Sequence, residues 1–132
     1  MPRIIVVDDD LSVRTVMRAG LERLGIDVVG EAADGIEAVE VVRQLNPDVV
    51  LMDVQMPGMN GFEATREIKQ MQPLVQVVFV TVYEDPHPTR SAEEVGAYAY
   101  LLKDSSFELV RDVVLRAATL KQELEAKDQL EA

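Results

Sequence analysis

Five short apolar runs divide the chain, at residues 3–7, 27–32, 48–52, 75–80 and 97–102, and segments of helical periodicity separate them. Most of the runs are rich in Val and Ile with little polar alternation, the pattern of parallel strands buried on both faces. Between the first two runs, Val13, Val16, Met17, Leu21 and Leu24 trace one helical stripe; Ile36, Val39, Val42 and Leu45 trace the next. Gly25, Asn46-Pro47, Gln72-Pro73 and Gly96 supply turn chemistry at the joins. Repeated strand–helix units need crossovers, and right-handed crossovers cover both faces of a single parallel sheet. The pattern predicts an α/β, doubly wound (βα)5 domain. Two helix starts support the register: Asn60 before Gly61-Phe62-Glu63 is an Asx version of the capping box, and Ser105-Ser106-Phe107-Glu108 fits the box itself.

Composition narrows what such a domain can do. At 132 residues the chain suits one domain with a sizeable core. Thirteen Lys and Arg against 24 Asp and Glu leave a formal charge of −11, which argues against a direct grip on nucleic acid or anionic lipid and in favour of cations or basic partners. Without cysteine there is no disulfide, thiolate metal site or thiol nucleophile. Met1-Pro2-Arg3 runs straight into the first strand, and no apolar run approaches the ~18 residues of a spanning helix, so a cytoplasmic location is expected.

The candidate chemistry lies where strands end. Asp8 and Asp9 follow the first run, Asp53 the third and Lys103 the fifth. In an open parallel sheet the carboxyl ends of the strands line one rim, so these charges should converge there. Crowded carboxylates repel one another, and a hard divalent cation relieves the repulsion. Oxygen donors without His or Cys select Mg²⁺, or alternatively Mn²⁺. An Asp carboxylate is also a competent nucleophile toward phosphorus, and Lys103 with the Thr81 hydroxyl could neutralise a phosphoryl group. Together these parts suit phosphoryl transfer.

Over residues 2–118 the chain resembles the receiver domain of two-component response regulators. The resemblance rests on Val6-Val7-Asp8-Asp9-Asp10, on Leu51-Met52-Asp53-Val54-Gln55-Met56-Pro57-Gly58-Met59-Asn60-Gly61, on Val80-Thr81, and on Gly96-Ala97 followed by Tyr100-Leu101-Leu102-Lys103. It implies a flavodoxin-like sheet of order 2-1-3-4-5. It further implies that Asp53 accepts a phosphoryl group from a sensor histidine kinase or phosphotransfer protein. Asp9, Asp53 and the Gln55 carbonyl would ligate Mg²⁺, with Asp8 helping through water. Thr81 and Lys103 would bind the phosphoryl oxygens, and Tyr100 would change rotamer with Thr81. An output domain, a protein partner or a second copy would then read the face built from the fourth helix, fifth strand and fifth helix.

Blander roles compete at each position. Asp8, Asp9 and Asp10 could merely cap the first helix, but only one can do so; Asp10 is assigned that role and the other two are read as ligands. Asp53 could end a strand in a turn, yet Met56-Pro57-Gly58 already provides one. Thr81 and Tyr100 are ordinary strand residues, and Lys103 alone would be a solvated lysine. His87 between two prolines reads as a loop residue, and Met52, Met56 and Met59 read as packing.

Several features depart from the family pattern. Val82 stands where a small residue is usual, and its bulk would narrow the approach to Asp53. Asp104 replaces a frequent proline and gives the Lys-Asp-Ser form common among regulators with helix-turn-helix outputs. A bulky Tyr83 should shield an acyl phosphate and slow its hydrolysis. Residues 119–132 keep helix-favouring composition without Gly or Pro, an extension of ~21 Å. Val113, Ala117, Leu120 and Leu124 hold seam spacing but the next seam position is Lys127, leaving a dimer helix, a linker and a frayed end as readings. Two other function classes share parts of the pattern. An aspartyl-phosphate hydrolase would need an Asp-x-Asp that Val54-Gln55 breaks, and a flavin module would need a Ser/Thr/Gly-rich first loop.

Overall fold

All five apolar runs form strands, and they pair in parallel in the order β2-β1-β3-β4-β5. The structure, a computed structural model, describes residues 2–82 and 88–131, the side chains of 88–90 apart. Along the chain it runs β1 (Arg3–Val7), α1 (Leu11–Arg23), β2 (Asp27–Ala32), α2 (Gly35–Leu45), β3 (Val49–Met52), α3 (Gly61–Met71), β4 (Gln76–Thr81), α4 (Pro88–Glu94), β5 (Ala99–Leu102) and α5 (Phe107–Glu131). The expected flavodoxin-like (βα)5 topology is therefore present.

Strand alternation divides the core in two. Ile5, Val7, Val50, Met52, Val77 and Phe79 face α2, α3 and α4, meeting Val42, Ile68 and Val95. Ile4, Val6, Val49, Leu51, Val78 and Val80 face α1 and α5, meeting Leu21, Val110 and Val114. Each fully buried aliphatic side chain of this kind is worth about 1.5–3 kcal/mol of transfer free energy. That explains why the central strands tolerate almost no polar residue.

Helix ends follow local chemistry. The Asp10 side chain caps α1 by accepting from the amides of Ser12 and Val13, as expected. Asn60 and Glu63 complete both arms of the capping box at α3. At α5 the expected box shifts by one residue. Ser106, not Ser105, accepts from the Leu109 amide at 3.1 Å, because the Ser105 amide closes a turn on the Leu102 carbonyl and the helix starts at Phe107. Gly96 takes φ +82°, and the Gly96 and Ala97 amides return to Glu93 and Ala92, a Schellman stop that delays β5 to Ala99.

Two stripe positions differ from expectation. Val16 is 59% and Ile36 68% exposed. On α1 the place of a large residue toward α5 is taken by Gly20, over which the Phe107 ring lies so closely that an added Cβ would be 2.6 Å from it. Ile36, in the first turn of α2, projects beside Met59 in a groove between α2 and α3.

The seam on α5 is used within the chain: Val113 and Ala117 are buried in the core beneath the sheet. The helix continues without a break to Glu131. Lys121 joins it to the body through Asp48 at 3.1 Å and pairs with Glu125 at 2.6 Å, and residues 126–131 stand exposed.

Candidate functional site

Three backbone hydrogen bonds carry the ladder one step past the strand ends: Asp8 N to Ala32 O (3.1 Å), Asp53 N to Val7 O (2.9 Å) and Lys103 N to Thr81 O (2.9 Å). This continuation sets Asp8, Asp53, Thr81 and Lys103 side by side on one rim. Asp8 and Asp53 are almost wholly buried, whereas Asp9 is exposed. One carboxylate oxygen from each of the three lies within 4.8 Å of the others. Such an oxygen-only cluster suits a metal ion of the hard, oxygen-preferring class.

Lys103 is the cation already in place. Its ammonium donates to Asp8 Oδ2 at 2.6 Å and to Asp53 Oδ2 at 3.3 Å, while Asp8 Oδ1 accepts from the Asp10 amide at 2.9 Å. Burial pushes the Asp53 carboxyl above its ordinary range, and the Asp8 charge adds to the push. Lys103 and a hydrogen bond with Thr81 oppose both without cancelling them. For Lys103, burial works to lower the ammonium, but its bonds and charges with Asp8 and Asp53 outweigh burial and raise it. One ammonium facing three acidic side chains leaves the site short of positive charge.

The loop after β3 is closed by glycine. The Gly61 amide donates to Val54 O at 2.9 Å, and its α-carbon lies so near the Asp53 carbonyl that no Cβ fits. Gln55, exposed on this loop, lines an open cleft of about 740 Å³ with Asp9, Met56, Phe62 and Ser91. Thr81 is fully buried. Tyr100 is half-buried with its ring 6.2 Å from Phe79, and Phe79 meets Phe62 edge-on at 4.9 Å.

The rim thus gathers Asp8, Asp9, Asp53, Thr81 and Lys103. Gln55 lies on the adjoining loop, and Tyr100 pairs with Phe79, two positions before Thr81 on β4. Val82 leaves 70% of its surface in solvent. Tyr83 and His87 lie outside the described residues. Met52 and Met56 are buried and Met59 half-buried against the core, the packing role read for them. Sequence reasoning passed over Arg14, whose guanidinium reaches the Asp8 carbonyl at 2.7 Å and Glu31 at 3.2 Å. The available signal was a cation set between Val13 and Met17 on the sheet-facing side of α1. Phe62 was also passed over, being read only as part of a capping box.

Residues 4–115 match the response regulator receiver domain family. The response regulator GacA of Pseudomonas aeruginosa is 46% identical over 110 residues, covering 82% of this chain and 51% of GacA. The transcriptional regulatory protein LiaR of Bacillus subtilis is 38% identical over 128 residues, covering 96% of this chain and 61% of LiaR. The chain spans about half the length of the first of these relatives. Among solved structures, a LuxR-family two-component response regulator from Aurantimonas sp. SI85-9A1 superposes with TM-score 0.82 at 35% identity, covering 98% of this chain and 99% of that one. A response regulator receiver domain protein from Clostridium thermocellum gives TM-score 0.87 at 27% identity, with 94% and 99% covered. Among the described residues no helix is long and apolar enough to cross a membrane.

Proposed function

Because the chain belongs to the response regulator receiver domain family, we propose that Asp53 is its phosphoacceptor and that the rim around it is the switch's input site. Receiver domains partner histidine kinases or phosphotransfer proteins and act as self-catalysed phosphotransfer switches rather than turnover enzymes. The observation that carries the assignment is the contact set of Asp53: Lys103 and Thr81 on its carboxylate, with Asp8 and Asp9 oxygens within 4.8 Å.

In the proposed reaction an Asp53 oxygen forms a P–O bond as the P–N bond of a donor phosphohistidine breaks. Lys103 and Thr81 then donate to the phosphoryl oxygens. Asp9, Asp53 and the Gln55 carbonyl would hold Mg²⁺, with Asp8 assisting through water; three converging carboxylate oxygens and no nitrogen or sulfur donor fit that ion, and Mn²⁺ after it. When bound, the ion neutralises charge on the phosphoryl group being transferred. Burial of Asp53 keeps competing water away from the new acyl phosphate.

Thr81 and Tyr100 are assigned the switch, read at the face of α4, β5 and α5 by an output domain, a protein partner or a second copy. LiaR is a transcriptional regulator and the Aurantimonas protein belongs to the LuxR family, which supports a transcriptional output for this chain. Residues 2–118 are assigned to the receiver and 119–132 to a helical extension that links or dimerises.

The test is a native mass spectrum after incubation with Mg²⁺ and acetyl phosphate, beside Asp53→Asn. A single phosphoryl adduct on the parent alone is expected. A folded parent without an adduct, or an adduct on the variant, would remove Asp53 from the role.

A further inference from the structure

We propose that Arg14 is a positioning residue of the rim site. Anchored by Glu31, it fastens the Asp8 carbonyl and thereby sets the turn from which Asp8 and Asp9 present their carboxylates. The inference rests on the reading of that cluster as a divalent-cation site.

Arg14 sits one turn into α1 with only 14% of its side chain exposed, uncommon burial for an arginine. Its Nη1 donates to the Asp8 carbonyl at 2.7 Å, and its Nε donates to Glu31 Oε1 at 3.2 Å. These two bonds tie three elements together: α1, the edge strand β2, and the first residue beyond β1. Asp8 is consequently held at four points, through its amide to Ala32, its carbonyl to Arg14, and its carboxylate oxygens to the Asp10 amide and Lys103. Asp9 lies between Asp8 and the cap residue Asp10, both held through these bonds, so its exposed carboxylate projects from a fixed turn.

The network includes its own control. Arg18 shares the same acid, pairing with Glu31 Oε2 at 2.8 Å, but its other contacts are the Val28 carbonyl within β2 at 3.0 Å and Glu22 on α1 at 3.4 Å. A purely structural role for the network would be shared by both arginines. A positioning role belongs to Arg14 alone, since it alone touches the turn that carries the acids.

Charge and position make opposite predictions. Removing a guanidinium beside an acidic cluster would, by electrostatics alone, tighten cation binding. Loosening the turn would weaken it, and residues that orient metal ligands from behind are typically worth ~10–100-fold in affinity. The proposal commits to weakening.

The test is Mg²⁺ binding by the whole chain in isothermal titration calorimetry, with melting in EDTA measured alongside. Arg14→Gln should weaken Mg²⁺ binding by about tenfold or more, and Glu31→Gln should weaken it by less. Arg14→Lys, which keeps one donor within reach of the carbonyl, should recover part of the loss. Arg18→Gln should lower the melting midpoint yet leave Mg²⁺ affinity at the parental value. Equal or tighter binding by folded Arg14→Gln overturns the proposal, as does an Arg18→Gln loss of the same size. If Arg14→Gln fails to fold, Arg14→Lys decides: it keeps the charge, so Mg²⁺ binding at the parental affinity or tighter overturns the proposal. A parent that binds no Mg²⁺, or binds it unchanged with Asp9→Asn, overturns the cation-site reading itself and the proposal with it.

Discussion

At the rim where the strands begin, Asp48 accepts from the Arg3 amide at 2.8 Å and from Lys121 at 3.1 Å, and its own backbone joins β1 to β4 through Arg3 O and the Gln76 amide. At the rim where they end, Asp53 has Lys103 at 3.3 Å but also Asp8 and Asp9 close by. Both rims set a half-buried lysine against a carboxylate. In the first, Lys121 meets Asp48 and Glu125, both of which favour its charge, while in the second the Asp8 charge and burial both work against the Asp53 carboxylate. The contrast separates a joint that holds the fold from an acidic cluster of the kind that suits a metal ion.

The sharpest way to expose the difference is to add the missing charge. Mg²⁺ at about 100 times its dissociation constant should stabilise the parent by ~2.7 kcal/mol in urea melts. The ion should do nothing comparable for a variant lacking both Asp9 and Asp53 carboxylates. Breaking the first rim comes next: Asp48→Ala leaves the Arg3 amide without its partner and Lys121 with Glu125 alone, and a loss of about 2 kcal/mol is expected in the same melts. Asp53→Asn should act in the opposite direction. In metal-free buffer at neutral pH it should melt higher, by ~4 °C for each 1 kcal/mol of relieved repulsion. Ending the chain after Leu120 removes the Lys121 pairs and should cost up to ~1 kcal/mol, with no loss of Mg²⁺ binding.

The smallest effect is a difference in pH profile. The folded-state value of Asp53 is raised, so its contribution to stability is fully present below its unfolded value and is lost as pH rises through the folded one. The gain from Asp53→Asn should therefore shrink in acid. Glu31 is lowered by its bond with Arg18 first and with Arg14 after it, against burial. Its contribution is present above its unfolded value and lost as pH falls through the folded one, so the cost of Glu31→Gln should also shrink in acid. One substitution loses a benefit and the other a penalty, so each variant's melting curve should approach the parent's on acidification, and a curve that moved away from the parent's would contradict the sign for that residue.

Much of this was legible in the residues because strands buried on both faces leave dense apolar runs, and charges that interrupt such runs at their ends must share a rim. Asp8, Asp53, Thr81 and Lys103 could be placed on that basis. Less visible were choices settled by geometry across elements. Two adjacent serines offer the same cap, and only the turn closed by the Ser105 amide selects Ser106. Val16 fits a helical stripe by spacing but falls on the solvent side once Phe107 lies over Gly20. Arg14 reads as a surface cation until α1 is laid against β2, and Lys121 reads as part of a free tail until Asp48 is found beneath it.

That last contact makes α5 a shaft gripped near residue 121 and bare from residue 126 onward. Anything joined beyond residue 131, native or grafted, inherits an angular setting from the sheet. Each residue inserted after the grip turns that setting by ~100°, and seven restore it to within ~20°. A signal sent along such a shaft is transmitted as phase as well as distance.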